Sequence, residues 1–320
     1  MSFKYINPGY ANLLDVEGGT TIESTQKSST GVALWQATAD KGIDLEECPS
    51  ELYGKFDVYL HHESDSDTTN VTIRVCLGGK NYNGIQIRKY DNHWQLVGYC
   101  NGYGQVNKTA TTWHTGEVES TTGLKLEQIN TIYFHIIPVS DDNSTGNLKI
   151  WVNGGQIADY NYSINFSSKK FIEIFSSSPN GLISNIILSD TEIHQREQVA
   201  IFPVSTTATE TTMTDNGDGT YTSDTVGEQI LQAVDVDALI EEYGEDSEIK
   251  GIAVIGNPAY RTAQGLNQLI AIEKNGNVIT EYGAKTVSTD SLSGVMDGRA
   301  VSLTMAQLAD KKFGWKTNAS

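Results

Sequence analysis

The tripeptide Asn153-Gly154-Gly155 constrains this chain more than any other feature. It stands between Leu148-Lys149-Ile150-Trp151-Val152 and Gln156-Ile157-Ala158-Asp159-Tyr160. Leu148, Ile150 and Val152 share one parity, the period of a strand with one buried face. Asn-Gly accepts the positive φ values of a type I′ turn, whose twist matches the strands it joins. An antiparallel hairpin turning at Asn153-Gly154 is therefore expected, and downstream Asn180-Gly181 precedes a second apolar run, Leu182 to Leu188.

The same rhythm of short strand and turn fills the first 190 residues. Candidate strands are Val32-Gln36, Leu52-Leu60, Val71-Leu77, Gly84-Lys89, Gln95-Tyr99, Thr131-Val139, Leu148-Val152, Phe171-Phe175 and Leu182-Leu188. In the second of these, Leu52, Phe56, Val58 and Leu60 are expected to face a core, with Lys55, Asp57 and Tyr59 facing out. Asp91-Asn92-His93 is a polar connector of hairpin length. Many turn-separated strands with few helical periods imply two packed antiparallel sheets.

The hairpin Lys149-Ile150-Trp151-Val152-Asn153-Gly154 and the run Gly181-Leu182-Ile183-Ser184-Asn185-Ile186-Ile187-Leu188-Ser189 resemble the last third of a concanavalin A-like or laminin G jelly roll. The resemblance implies a lectin-like β-sandwich over residues 1–195. That fold binds sugars, hydrolyses them or simply builds, so it does not settle function. A transition follows from Thr191 to Thr207, mixing Glu192, Arg196 and Glu197 with Pro203 and a Ser/Thr run, and the boundary is expected within several residues of Ala200.

Residues 196–320 have a different pattern. Asp215-Asn216-Gly217-Asp218-Gly219-Thr220-Tyr221-Thr222 resembles a hairpin of bacterial immunoglobulin-like surface domains. A calcium loop would need an oxygen ligand where Gly217 stands and a closing Glu that is missing, so a turn with Asx side chains bonded to backbone amides is favoured. Val236, Leu239, Ile240 and Tyr243 fall at helical spacing, with Asp235 as cap and Gly244 as stop. Strands are expected at Ile249-Ile255, at Ile270-Glu273 turning through Asn275-Gly276 into Val278-Tyr282, and at Ala300-Leu303. Thr304 is expected to cap a helix running through Lys312. The expected fold class is all-β: an antiparallel jelly-roll sandwich plus a smaller β-rich, immunoglobulin-like domain with short helical inserts.

A formal charge of -18 and a pI near 4.6 repel phosphate backbones, so no nucleic-acid partner is expected. No segment approaches the roughly 20 apolar residues that span a bilayer, so no membrane insertion is expected either. Met1 to Pro8 lacks the apolar core of a secretory signal. Cys48, Cys76 and Cys100 are odd in number and widely spaced, which fits buried free thiols rather than a disulfide framework. Synthesis in a host cytoplasm and release by lysis is the route these features favour.

Three constellations could carry chemistry. Glu117 and Glu119 would lie some 6 to 7 Å apart on one strand face, near the separation used in retaining glycoside hydrolysis. Glucanase relatives of the resembled fold carry E-x-D-x-x-E. Here Glu119 replaces the Asp and Thr122 the last Glu, so the acid/base partner is missing and no enzyme activity is expected. His61-His62-Glu63-Ser64-Asp65-Ser66-Asp67 reads first as an ordinary solvated loop, while its hard oxygens would suit Ca²⁺ and its imidazoles a transition metal, with Asp65 and Asp67 the first residues to test; no other cofactor is expected. Tyr82, Tyr90, Trp94, Tyr99, Tyr103 and Trp113, interleaved with Asn, Gln and Gly, suit stacking against sugar rings. Tyr103 between glycines, Asn101, Trp94 and Trp113 are the candidate glycan contacts, while core packing competes for Trp94 and Tyr99 because they lie on strands.

Ile6-Asn7-Pro8-Gly9-Tyr10-Ala11-Asn12-Leu13-Leu14-Asp15 resembles the opening of prophage-type virion proteins. The expected function is a non-enzymatic structural or recognition component of a phage particle, in its tail, fibre or surface decoration. Its expected partners are other virion proteins, copies of itself and cell-surface polysaccharide, with Ile249-Ile255 as an apolar strand that neighbours could cover. A bacterial surface adhesin or carbohydrate-binding module is the alternative, followed by a glycoside hydrolase.

Overall fold

The computed structural model describes residues 4–7, 15–16, 21–27, 33–44, 48–60, 70–77, 83–90, 93–99, 112–115, 124–125, 127–139, 145–162, 171–176, 181–194, 197–200, 202, 209–256, 258, 265–287 and 295–319. The chain divides into two compact units, Met1–Val199 and Ala200–Ser320. The first extends past 195 because Ile193 and Val199 are buried on its own sheet, against Tyr133 and Ile187.

The first unit holds β1 (Lys4–Asn7), β2 (Asp15–Val16), β3 (Thr21–Lys27), β4 (Ala33–Asp44), β5 (Leu52–Leu60), β6 (Asn70–Leu77) and β7 (Asn83–Tyr90). It continues with β8 (His93–Tyr99), β9 (Thr112–Thr115), β10 (Ile129–Ile137), β11 (Gly146–Val152), β12 (Gly155–Tyr162), β13 (Phe171–Ser176) and β14 (Gly181–Ser189). The ladder runs β12-β11-β10-β5-β14-β4-β13-β6-β7-β8-β9, with β1 beside β14 and β2 and β3 on β4. Every pairing in it is antiparallel, as alternation and short turns require.

The ladder is thin at one point, where β14 meets β4 through the single pair Ile183↔Trp35. On one side of that point Leu52, Phe56, Ile132, Phe134, Leu148 and Ile150 form an apolar parity; on the other, Val75, Ile85, Ile87, Leu96, Ile172 and Ile174 do the same. All are at most 1 % exposed. Two amphipathic layers with fully buried apolar faces make a β-sandwich. The hairpin turns where its sequence dictates: Val152 pairs with Gly155, and Asn153 and Gly154 take φ of 48° and 86°.

Two expectations for this unit are corrected. His93 belongs to a strand, paired with Tyr90, so the connector is shorter than Asp91-Asn92-His93. Lys55, Asp57 and Tyr59 do not face solvent; each is at least nine-tenths buried. The second face of β5 is covered as well: Lys55 Nζ donates to the Glu197 carbonyl, bringing the residues around Glu197 onto it.

The second unit holds β15 (Glu210–Thr211), β16 (Thr214–Asp215), β17 (Tyr221–Thr222), β18 (Gln229–Ala233), α1 (Val236–Tyr243), β19 (Glu248–Gly256), β20 (Leu266–Asn275), β21 (Val278–Thr286), β22 (Val295–Thr304), α2 (Met305–Ala309) and β23 (Lys311–Ala319). A five-stranded sheet β15-β18-β23-β20-β21 is accompanied by the pairs β16-β17 and β19-β22. Asp235 caps α1 by accepting from Ala238 N at 3.2 Å, and Gly244 N closes it on Ile240 O at 2.9 Å. Asp215 and Asp218 form Asx turns, accepting from Gly217 N at 2.8 Å and Thr220 N at 3.0 Å.

Here too the structure corrects the sequence. The helix capped by Thr304 ends at Ala309 rather than Lys312, because Phe313, Trp315 and Thr317 alternate and are buried in β23 at the centre of the sheet. The β20-β21 turn centres on Gly276-Asn277, since Asn275 pairs with Val278. Ile252 and Val254 of β19 are not left for a neighbour but are buried in the unit's own core with Leu239, Ala271, Leu308 and Trp315.

Candidate functional site

An amphipathic sheet leaves its second face for function, and β6 to β9 with β13 carry a second face rich in polar residues. Register opposes Phe175 to Arg74, Arg74 to Gln86, Gln86 to Val97 and Val97 to Thr112. In the next row Arg88 stands opposite Gln95, and Gln95 opposite His114. The row beyond places Glu173 opposite Cys76, Cys76 opposite Gly84, and Gly84 opposite Tyr99. All share the parity opposite to buried Ile85, Ile87 and Leu96. Gln86 is 2 % exposed, so this face is sheltered at its centre.

Of the sequence candidates, Trp94 and Trp113 lie on β8 and β9, and register gives both the other parity: Trp113 opposes buried Leu96, and Trp94 opposes Lys89 and Thr115. Tyr99 takes the polar parity. Asn101, Tyr103, Asp65, Asp67, Glu117, Glu119 and Thr122 fall outside the described residues. Sequence reasoning passed over Arg74, Gln86, Arg88, Gln95 and His114. The signal was available in the alternation of Gly84-Ile85-Gln86-Ile87-Arg88, whose polar members share a parity.

A second polar layer lies on the outer face of β5, β10 and β14. The rings of Tyr53 and His135 stack at 4.2 Å, 5° from parallel. One Glu51 oxygen accepts from Tyr53 Oη and lies 2.9 Å from His135 Nε2. The Tyr53 bond holds the Glu51 carboxyl below its usual range, while burial and that carboxylate push the Tyr53 phenol well above its own. Burial likewise pushes Tyr133 up to about 12, with its ring edge-on to Trp151 at 4.8 Å. Buried Asp57 accepts from Thr131 Oγ1 at 2.8 Å and Asn185 Nδ2 at 2.7 Å. Asn185 takes φ 50° inside a bulge of β14, which aims its amide at that carboxylate. These hydrogen bonds tie β5, β10 and β14 to one another.

Among the described residues no group of three or more His, Cys, Asp and Glu is placed to hold a metal ion, and no helix is long and apolar enough to cross a membrane. Cys48 is a half-buried free thiol, raised by burial.

No family model matches the chain, and no curated protein matches it in sequence. Solved structures similar to it include an endo-β-1,4-glucuronan lyase from the fungus Trichoderma reesei, at 12% identity and TM-score 0.38, covering 58% of this chain and 95% of that one. Another is the metal-free carbohydrate recognition domain of Emp46p, at 13% identity and TM-score 0.33, covering 59% and 100%. A third is the carbohydrate-binding module CBM66 from Bacillus subtilis, at 14% identity and TM-score 0.28, covering 53% and 93%.

Proposed function

We propose that the first unit binds a polysaccharide on the polar face of β13-β6-β7-β8-β9, and that the chain is a non-enzymatic recognition component of a phage particle. The supporting observation is the row Arg74, Gln86 with its neighbouring row Arg88, Gln95, His114, laid across adjacent strands opposite an apolar core. Fork-shaped donors and amides at fixed strand spacing suit a repeating polymer of hydroxyl-bearing rings. Tyr99 on that face, together with Asn101 and Tyr103, would supply stacking and hydrogen bonds to a ring. Binding without cleavage fits the absent acid at Thr122.

The virion assignment rests on the opening segment Ile6 to Asp15 and on two β-rich units in series, the second read as immunoglobulin-like from its Asp215–Thr222 hairpin. Support for assembly with other copies comes from β21, bonded in the described ladders only to β20, with Val278 67% and Ile279 40% exposed. A bacterial surface adhesin with the same glycan face is the alternative, and gene neighbourhood separates the two. A glycan microarray probed with the full chain tests the binding. Absence of any retained glycan would overturn it, and release of reducing ends from a retained glycan would overturn the non-enzymatic part.

A further inference from the structure

The acidic residues of this chain are distributed unevenly, and topology turns that into a local field. The chain has 40 Asp and Glu against 22 Lys and Arg, yet none of the residues of β6, β7, β8 and β9 is acidic. These four strands are consecutive neighbours in the ladder and form a continuous wing of sheet, with Asp91, between β7 and β8, the one acidic residue in the sequence from Asn70 to Thr115. The same strands carry Arg74, Arg88 and Lys89, with His93 and His114. Arg74 and Arg88 share the polar parity on adjacent strands, one opposite Gln86 and the other two residues along from it, where the register shifts between Val71 and Ile73. The flanking strand β13 brings one carboxylate to this parity, Glu173, a row away at Cys76.

From this placement we propose that the polysaccharide bound on this face is acidic, bearing carboxylate or sulfate groups, with Arg74 and Arg88 as paired anion receptors. The inference rests on the glycan-binding reading and specifies its ligand class. Arginine matches a planar carboxylate or a sulfate through two parallel N–H donors, and Gln95 supplies an amide for the hydroxyls between charges. The net charge of -18 does not forbid it. At physiological salt, charges beyond about 8 Å are largely screened, so an anionic polymer on the wing responds to the local cations rather than to the distant acids. Phosphate polymers would meet the same cations, but Gln95 and Tyr99 on that face favour a ring bearing hydroxyls.

The test compares the full chain's affinity for polygalacturonate, dextran sulfate, neutral dextran and duplex DNA by affinity electrophoresis at physiological salt. The expected result is retention by an acidic polysaccharide with dextran at least roughly tenfold weaker, and a loss of roughly ten- to a hundredfold in Arg74→Gln or Arg88→Gln. Arg88→Lys should retain part of the affinity, and Lys250→Gln, in the second unit, all of it. The polygalacturonate and dextran sulfate arms tell carboxylate from sulfate. Equal retention by dextran and polygalacturonate would overturn the acidic-ligand inference and leave the glycan reading intact. Binding to none of the polysaccharides would overturn both, and DNA retained as strongly as polygalacturonate would reduce the face to a plain cation patch. Because the preference is read on the unaltered chain, it is decided even if an arginine variant fails to fold.

Discussion

Replacing Gly54 by Ala should lower the melting temperature of the first unit by about 4–8 °C. Gly54 lies on the core parity of β5, directly opposite Phe134 of β10. A Cβ there would lie 2.0 Å from Phe134 Cζ and 2.2 Å from Cε1, where carbon contacts settle at about 3.5–4.0 Å. The ring has no room to retreat, because Phe134 is fully buried and packs edge-on to Phe56 at 6.3 Å. Overpacking of this kind costs about 3 kcal/mol at the upper end. Alanine returns about 1 kcal/mol by restricting the unfolded chain, leaving about 2 kcal/mol, each worth about 2–4 °C in a unit of this size. Calorimetry of the full chain reads the shift, and adding Phe134→Leu should recover part of it because the two residues share one volume. A Gly54→Ala midpoint within about a degree of the parent would refute the β5-β10 register, since the strain cannot vanish while Phe134 sits over Gly54.

Gly154→Ala should destabilise the first unit by about 1 kcal/mol through backbone strain alone, because φ is 86° and no atom lies within 4 Å of the added Cβ; an unchanged midpoint would remove the type I′ turn. Arg299→Met should cost the second unit about 3 kcal/mol, because Arg299, 10% exposed, lies over the Tyr282 ring and pairs with Asp297, which would lose this cation while Glu273 keeps Lys311; the shift should fall on the calorimetric transition that Gly54→Ala leaves in place. Glu210 is held at about 2, against an ordinary 4.5, chiefly by hydrogen bonds from Lys274 at 2.5 Å and Lys312 at 2.6 Å. Its folded-state value lies below the unfolded one, so the stability it adds is present above about 4.5 and lost as pH falls toward 2; Glu210→Gln should flatten the second unit's acid limb in that window, and an unaltered limb would contradict the pairing.

Local chemistry was enough to place many elements. Asn153-Gly154 fixed a turn because few residues accept positive φ, and Asp235 with Gly244 bracketed α1 because a helix must satisfy its terminal amides and carbonyls within a turn of its ends. Alternation likewise marked β5 and its apolar face. It could not tell that the other face, with Lys55 and Asp57, is also buried, because the carbonyl that receives Lys55 belongs to Glu197, 142 residues along the chain. Nor could it rank β23, whose burial comes from pairing with β18 and β20 on both sides. The candidate site was legible in part: the sequence pointed to the Tyr82 to Trp113 region, but register gave Trp94 and Trp113 the parity of the core and gathered Arg74, Gln86, Arg88, Gln95 and His114 on the other. Parity within a strand is a property of its residues, but which parity meets solvent and which strands lie side by side are set by pairings between distant segments. The four acid-free strand segments were therefore present in the sequence, with Asp91 between two of them, and only the ladder of β6 to β9 made them a continuous wing.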